Sequence, residues 1–198
     1  LEDAADTALQ KAVEEVVRDI RVYFIVDISG SMSNAIERAK EYIAQFLQAF
    51  PLDRLHVSVF NTHGRELKIP HASKLGVKLA FAGISAGGGT DYGAGERALA
   101  RHAPRDDEDS LFIFVGDEQA SVFESAVAQS KLRPMAFGLV PVPSAWGSQG
   151  SAVRDTAERL GLPCFVIDLE TFNDPYAIPR TLRHLVASTP VQVGQARN

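Results

Sequence analysis

The chain of 198 residues has one cysteine, one tryptophan and two methionines. Cys164 alone cannot close an internal disulfide, and secreted chains of this size more often carry several cysteines. The expected setting is therefore a reducing, cytoplasmic one. No apolar run approaches the roughly 20 residues of a membrane-spanning helix, so no membrane role is expected. Positive charge is not in excess either: 20 Lys and Arg face 25 Asp and Glu, for a formal net charge of -5. No Lys/Arg cluster breaks that balance, which counts against a nucleic-acid binder working by counterion release. Repeats and low-complexity tracts are lacking. What remains is an ordinary globular composition, 45% hydrophobic, in a chain long enough to bury roughly 70% of its unfolded surface without a metal or disulfide to hold it. The first residue is Leu1 rather than Met, which fits a trimmed signal peptide or a lost upstream domain.

Hydrophobic periodicity then sets out the elements. Ala5, Leu9, Ala12, Val13, Val16, Val17 and Ile20 recur at helical spacing, predicting an amphipathic helix or linker over 1–20. The run "RVYFIVD" is apolar almost throughout, as a parallel strand covered on both faces should be. Ile36, Ala39, Tyr42, Ile43, Phe46 and Leu47 follow as a helical stripe. His56 to Asn61 reads as a second strand, and "HGRELKIP", bent at Gly64 and stopped by Pro70, as a short antiparallel edge strand. Tyr92 to His102 reads as a helix, and the acidic run Asp106 to Asp109 as a solvated connection. "SLFIFVGD" is another buried strand, followed by a helix with Val122, Phe123, Ala126 and Val127 inward, a strand over Met135 to Val140, and a loop, "PVPSAWGSQG". A helix over Ser151 to Leu160 closed by Gly161, a strand over Cys164 to Asp168, and a last helix from Pro179 complete the set. The expected fold is α/β: a doubly wound, Rossmann-like, mostly parallel sheet with one antiparallel edge strand and helices on both faces. Such sheets bind ligands beyond the carboxyl ends of their strands.

The first strand ends "FIVDISGSMS". Asp27, Ser29 and Ser31 can turn one carboxylate and two hydroxyls toward a common point, with Gly30 supplying backbone freedom. Hard oxygen donors at short range suit Mg²⁺ or Mn²⁺, while thiolate-seeking metals find no partner here. The plainer alternative is that Asp27 and Ser29 cap the next helix. Two further segments belong on the same sheet edge: "GGGTDYGAGERAL", with Thr90 between a glycine approach and a helix start, and "FIFVGDEQ", with Asp117 at the end of a buried strand. Together these elements resemble the von Willebrand factor A domain and its metal-ion-dependent adhesion site. That family has Asp-x-Ser-x-Ser after the first strand, a Thr in a later loop and an Asp after the fourth strand.

The resemblance spans about residues 21–190 and leaves 191–198 as a tail. It implies that Asp27, Ser29, Ser31, Thr90 and Asp117 hold a divalent cation, Mg²⁺ or Mn²⁺, and that a partner protein supplies a Glu or Asp to complete its coordination. It implies an interaction module rather than an enzyme. Where the family often has Thr-Asp-Gly, this chain has Gly116-Asp117-Glu118, so a shift of one residue would make Glu118 the outward carboxylate. Gly116, as the turning point, favours Asp117. Asp91 reads as a helix cap.

Within the family, the lack of disulfide cysteines disfavours an adhesion receptor. Intracellular members come nearer, including the von Willebrand factor A part of Ro-like ribonucleoproteins, whose RNA surface lies mainly on another domain. A hydrolase reading rests on "GISAG", with Ser85, Asp168 and His184 in the chain order of an α/β-hydrolase triad, but Ser85 lacks the strand-to-helix setting of a nucleophile elbow. His56, His63 and His71 have no ligand spacing and read as surface or sheet-edge groups. Cys164, opening an apolar strand, reads as an inert thiol. Trp146 either lies at the ligand face as an interface anchor or covers the start of the Ser151 helix.

Overall fold

A computed structural model describes residues 18–168 continuously, together with the helical positions Ala4, Thr7, Ala8, Lys11 and Glu15. Of the expected N-terminal stripe, every residue but Ile20 lies outside the described residues. So do the helix expected from Pro179, His184 and the tail. Ile20, read from sequence as part of the N-terminal helix, instead opens the first strand.

Among the described residues, six strands form one sheet in the order β3-β2-β1-β4-β5-β6. They are β1 (Ile20–Asp27), β2 (Leu55–Phe60), β3 (Gly64–Leu67), β4 (Asp109–Gly116), β5 (Pro134–Pro141) and β6 (Cys164–Val166). All neighbours run parallel except β2 and β3, which pair antiparallel at one edge. The helices are α1 (Ala35–Ala49), α2 (Lys74–Ala80), α3 (Tyr92–Arg97), α4 (Glu124–Gln129) and α5 (Ala152–Leu160). This is the expected doubly wound sheet. The last strand is shorter than expected, ending at Val166 rather than Asp168.

Strand alternation explains why the central strands are apolar on successive residues through their middles, Val22 to Val26 and Leu111 to Val115. In β1, Val22, Phe24 and Val26 join one core with α1 and α2, through Ile43, Phe46, Val77 and Phe81. Tyr23 and Ile25 face the opposite core with Tyr92, Phe112, Phe114 and Phe137. Each fully buried side chain of this size contributes roughly 1.5–3 kcal/mol of transfer free energy. The second core is an aromatic stack, with Phe112 and Phe137 parallel at 5.8 Å and Phe114 edge-on to Phe137 at 5.0 Å.

Two local readings change and one holds. The segment before "GISAG" contains α2, hidden in the sequence by Gly76; its start is marked by Ser73, whose Oγ accepts from Gly76 N at 3.0 Å. The acidic connection is not wholly solvated, because Glu108 is buried among Arg21, Arg54 and Arg105. Gly161 does close α5 in the left-handed conformation, φ 67°.

Candidate metal centre

Chain direction creates the site. From β1 the chain moves through α1 to β2 on one side, whereas β4 lies on the other side of β1, so the carboxyl ends of β1 and β4 flank the point where the winding reverses. Asp27 is the last residue of β1, and Asp117 follows the last residue of β4. Ser29 and Ser31 sit in the turn that enters a 3₁₀ segment, Gly30–Met32. All four are buried.

The turn holds itself together. Asp27 Oδ1 accepts from Ser29 N at 2.8 Å, and the Ser29 and Ser31 hydroxyl oxygens are 3.5 Å apart. Neither Ser29 at the 3₁₀ start nor Asn34 ahead of α1 makes a side-chain cap bond. The alternative in which this motif merely caps a helix therefore fails. Gly30 does not have the positive φ that backbone freedom would require; its small size instead admits the Trp146 ring, whose edge would lie 3.3 Å from an added Cβ.

The glycine loop is stitched to this turn. Gly87 N donates to Ile28 O at 2.9 Å, Gly30 N to Gly88 O at 3.1 Å, and Asp91 N to Asn61 O at 2.8 Å. Asn61 Nδ2 also donates to Gly87 O at 3.0 Å. These bonds bring half-buried Thr90 to the same edge of the sheet. Asp91 occupies the position before α3 but makes no cap bond; it pairs with Arg97 at 2.6 Å.

The Asp117 and Glu118 side chains go different ways. Glu118 takes φ 59° and turns toward α5, where its carboxylate accepts from Arg154 N and Arg154 Nε, both at 3.0 Å. Asp117 Oδ1 accepts from Gln119 N at 3.1 Å, and its Oδ2 is buried without a hydrogen-bond partner. Two residues that the sequence reading missed support this arrangement. Asn61 ties the loops as described, and Tyr92 Oη reaches Asp27 Oδ2 at 3.4 Å while accepting from Glu118 N at 3.1 Å.

Electrostatically the pair is incomplete. Burial pushes the Asp27 carboxyl up to about 6, hydrogen bonds from Ser29 oppose that rise, and the nearby Asp117 charge adds to it. None of the groups acting on Asp27 is a cation. Two buried carboxylates beside two hydroxyls, with an orphaned oxygen and no ion pair among the described residues, form a donor set that fits a hard divalent cation.

The surroundings dispose of other readings. Ser85 is exposed and follows α2 through a turn rather than a strand, so no nucleophile elbow forms. Asp168 is exposed, and His184 lies outside the described residues. Cys164 is only partly buried, with its thiol pushed up to about 11 by burial; Arg154, which the sequence reading did not anticipate near it, acts weakly in the opposite direction. Trp146 is 71% exposed at the rim of the Asp27 turn, and the adjoining Ala145 N donates to Ser31 O at 2.9 Å. The ring therefore does not cover α5. Among the described residues, no helix is long and apolar enough to cross a membrane.

Comparison relates the fold to known proteins. The family model for the von Willebrand factor type A domain matches residues 22–119. Similar folds occur in BatB from Bacteroides thetaiotaomicron, with a TM-score of 0.62 and 15% identity over 85% of this chain and 100% of that one. A von Willebrand factor type A protein from Catenulispora acidiphila gives 0.55 and 20%, over 86% of this chain and 42% of that one. Proximal thread matrix protein 1 of the mussel byssus, solved with a zinc-occupied MIDAS motif, gives 0.57 and 12%, over 85% and 48%. No curated protein matches the chain by sequence.

Proposed function

This chain belongs to the von Willebrand factor type A family, and from that premise we propose that it is a metal-dependent protein-interaction module. Asp27, Ser29, Ser31, Thr90 and Asp117 would hold the cation, and an acidic side chain of a partner protein would complete its coordination. The observation that carries this reading is the buried Asp27–Asp117 pair, with Asp117 Oδ2 lacking a hydrogen-bond partner among the described residues. All five donors are oxygens, which favours Mg²⁺ or Mn²⁺. The zinc in the mussel protein belongs to that protein's site; here zinc is one arm of the test. A bound cation supplies a positive charge that two carboxylates only balance, leaving attraction for a further anionic oxygen. The protein's part is to hold the donors in place through the Ser29–Asp27, Gly30–Gly88 and Tyr92–Glu118 bonds and to keep bulk water from the two carboxylates. We place the module in a reducing compartment on the strength of its single cysteine.

Titration with Mn²⁺, followed by paramagnetic broadening of amide resonances, should bleach residues around Asp27, Thr90 and Asp117 together. Asp27→Asn should weaken binding at least about tenfold, a loss of about 1.4 kcal/mol or more. The same variant should melt higher than the wild type when metal-free, because it removes a buried, unpaired charge. Broadening centred away from these loops would refute the assignment. A Mg²⁺-dependent partner that is captured equally by Asp27→Ala would remove the metal from recognition. The ribonucleoprotein alternative predicts salt-dependent RNA binding by this chain instead.

Trp146 extends the reading to the surface around the metal. A rigid ring on an exposed rim is suited to anchoring a partner at small entropic cost. As the only tryptophan, it should blue-shift its emission when a partner covers the site. Trp146→Ala should weaken the complex while shifting stability by less than about 0.5 kcal/mol, as for an exposed site. A large loss of melting temperature with unchanged partner affinity would assign the ring a structural task instead.

A further inference from the structure

The sheet carries a second donor cluster far from Asp27. His56 is the second residue of β2, four residues before Phe60, which pairs with Asp27. Four residues of strand put it about 13 Å below that carboxylate. β3 returns antiparallel and brings Glu66 beside β2, opposite Ser58. The 3₁₀ turn Ala100–His102 after α3 adds His102, fastened by Tyr23 Oη donating to His102 O at 2.5 Å. Three residues remote in sequence thus offer ligand atoms that all lie within 4.8 Å of one another. Sequence spacing could not reveal this group, because the antiparallel return and the turn after α3 assemble it.

We propose that His56, Glu66 and His102 form a site for a borderline transition-metal ion of the Zn²⁺ class, distinct from the oxygen-lined centre at the other end of the strands. Two imidazoles and one carboxylate are the donors such ions prefer, and they leave a fourth position for water. Arg21 is a permanent donor with Nη1 at 3.2 Å from His56 Nε2, so that lone pair is already engaged, and an ion can take it only when the His56 ring turns away from Arg21. His102 Nε2 lies 2.5 Å from Glu66 Oε1, where a metal would take the place of the shared proton. The pocket is open enough for an ion to enter, with the His102 side chain 27% exposed.

Two features set the terms of binding. The rings are stacked with centroids 4.2 Å apart and planes 15° from parallel, so one must rotate about its Cβ–Cγ bond for both nitrogens to aim at one ion. That torsion is soft. Arg101 also contacts Glu66 and reaches His102 Nε2 at 3.3 Å, occupying the cationic position a metal would take. Its side chain is 60% exposed and free to swing into solvent. Arg21 is held in place by its two bonds to Glu108, so the His56 ring is the group that must turn to release its Nε2. A bound ion would clamp β2, β3 and the turn after α3 at the antiparallel edge of the sheet.

Co²⁺ serves as the visible probe for a zinc-class site. The chain carrying Asp27→Ala, which disables the oxygen-lined centre, should bind one equivalent of Co²⁺ with a visible ligand-field band that Zn²⁺ displaces. His56→Gln or His102→Gln in that background should weaken binding at least about tenfold, and Arg101→Ala should tighten it. In the wild type, Zn²⁺ should shift the imidazole ¹⁵N resonances of His56 and His102 while leaving those of His63 and His71 in place, a readout that needs no variant to fold. Zn²⁺ that leaves the His56 and His102 signals unmoved, or Co²⁺ binding indifferent to both histidines, would overturn the proposal. Because the Co²⁺ titrations use the Asp27→Ala background and the wild-type test reads only imidazole signals, failure of this site leaves the Mn²⁺ result at the first centre standing.

Discussion

Replacing Glu108 by Gln is expected to cost about 3 kcal/mol of stability at pH 7 and to lower Tm by roughly 6–12 °C for a domain of this size. The carboxylate is buried and accepts from Arg21 Nε at 2.8 Å and Arg21 Nη2 at 3.1 Å, in a two-pronged pair. Arg54 Nη2 adds a bond at 3.0 Å while its Nε donates to Ile20 O at 2.8 Å, and the Arg105 backbone N–H donates at 3.2 Å. Through Glu108, the amino ends of β1 and β4 and the turn before β2 are joined.

The Arg21 hydrogen bond, foremost, holds the Glu108 carboxyl down to about 2 from an ordinary 4.5. A carboxylate with a depressed native pKa contributes stability that is fully present above its unfolded value and is lost as pH falls toward the folded one. The difference between wild type and Glu108→Gln should therefore hold from neutrality to about pH 5, shrink below pH 4.5, and vanish near pH 2. Urea unfolding at several pH values measures it. A difference that does not change with pH would show that shape, not charge, holds the knot. The Arg105 side chain contributes less, since it is 67% exposed and its pair is screened by water.

The second large effect is expected at Gly116. Its backbone does not have a positive φ, so a side chain would be excluded by lack of space alone. An added Cβ would lie 2.6 Å from Tyr92 Oη, 2.9 Å from Asp27 Cβ and 3.2 Å from Asp27 Oδ2. Tyr92 cannot withdraw. Its ring is stacked on Phe123 at 5.3 Å and packed against Phe60 at 4.6 Å in a fully buried core. Gly116→Ala should then destabilise by about 2 kcal/mol, in the range of core overpacking. It should also weaken Mn²⁺ binding about tenfold or more by displacing Asp27.

The double variant with Tyr92→Phe distinguishes this cause from a general loss of packing. Removing the hydroxyl clears the nearest obstacle, although it leaves Glu118 N without its acceptor. Two neighbours that share one clash should be non-additive, so the double variant should lose less than the two single losses together. Strict additivity, measured by denaturant unfolding, would place the cost of Gly116→Ala elsewhere.

The sheet order and the centre differ in how far one-dimensional pattern reaches. Unbroken apolar runs at Val22 to Val26 and Leu111 to Val115, each ending in Asp or Gly-Asp, determine buried parallel strands whose carboxyl ends carry acid. The period of 2 with both faces filled allows little else. Likewise Ile36, Ile43 and Leu47 determine the core face of α1 by spacing alone. Local pattern fails where a short element contains its own contradiction. α2 contains Gly76 and is held by contact with α1 more than by propensity.

What only the tertiary structure decided is which polar groups find partners. Glu108 and its neighbours Asp106 and Asp107 look alike as a string, yet only Glu108 turns inward, because Arg21 and Arg54 arrive from other elements. Asp117 and Glu118 are adjacent acids, yet Arg154 on α5 pairs with Glu118 while Asp117 Oδ2 has no hydrogen-bond partner among the described residues. His56, Glu66 and His102 meet only because β3 turns back beside β2. Burial of apolar residues is non-directional and nearly local in its demand, so the sequence by itself determined strands, helices and their inner faces. Charge pairing depends on distance and direction between atoms far apart in the chain, and those exist only once the sheet has assembled.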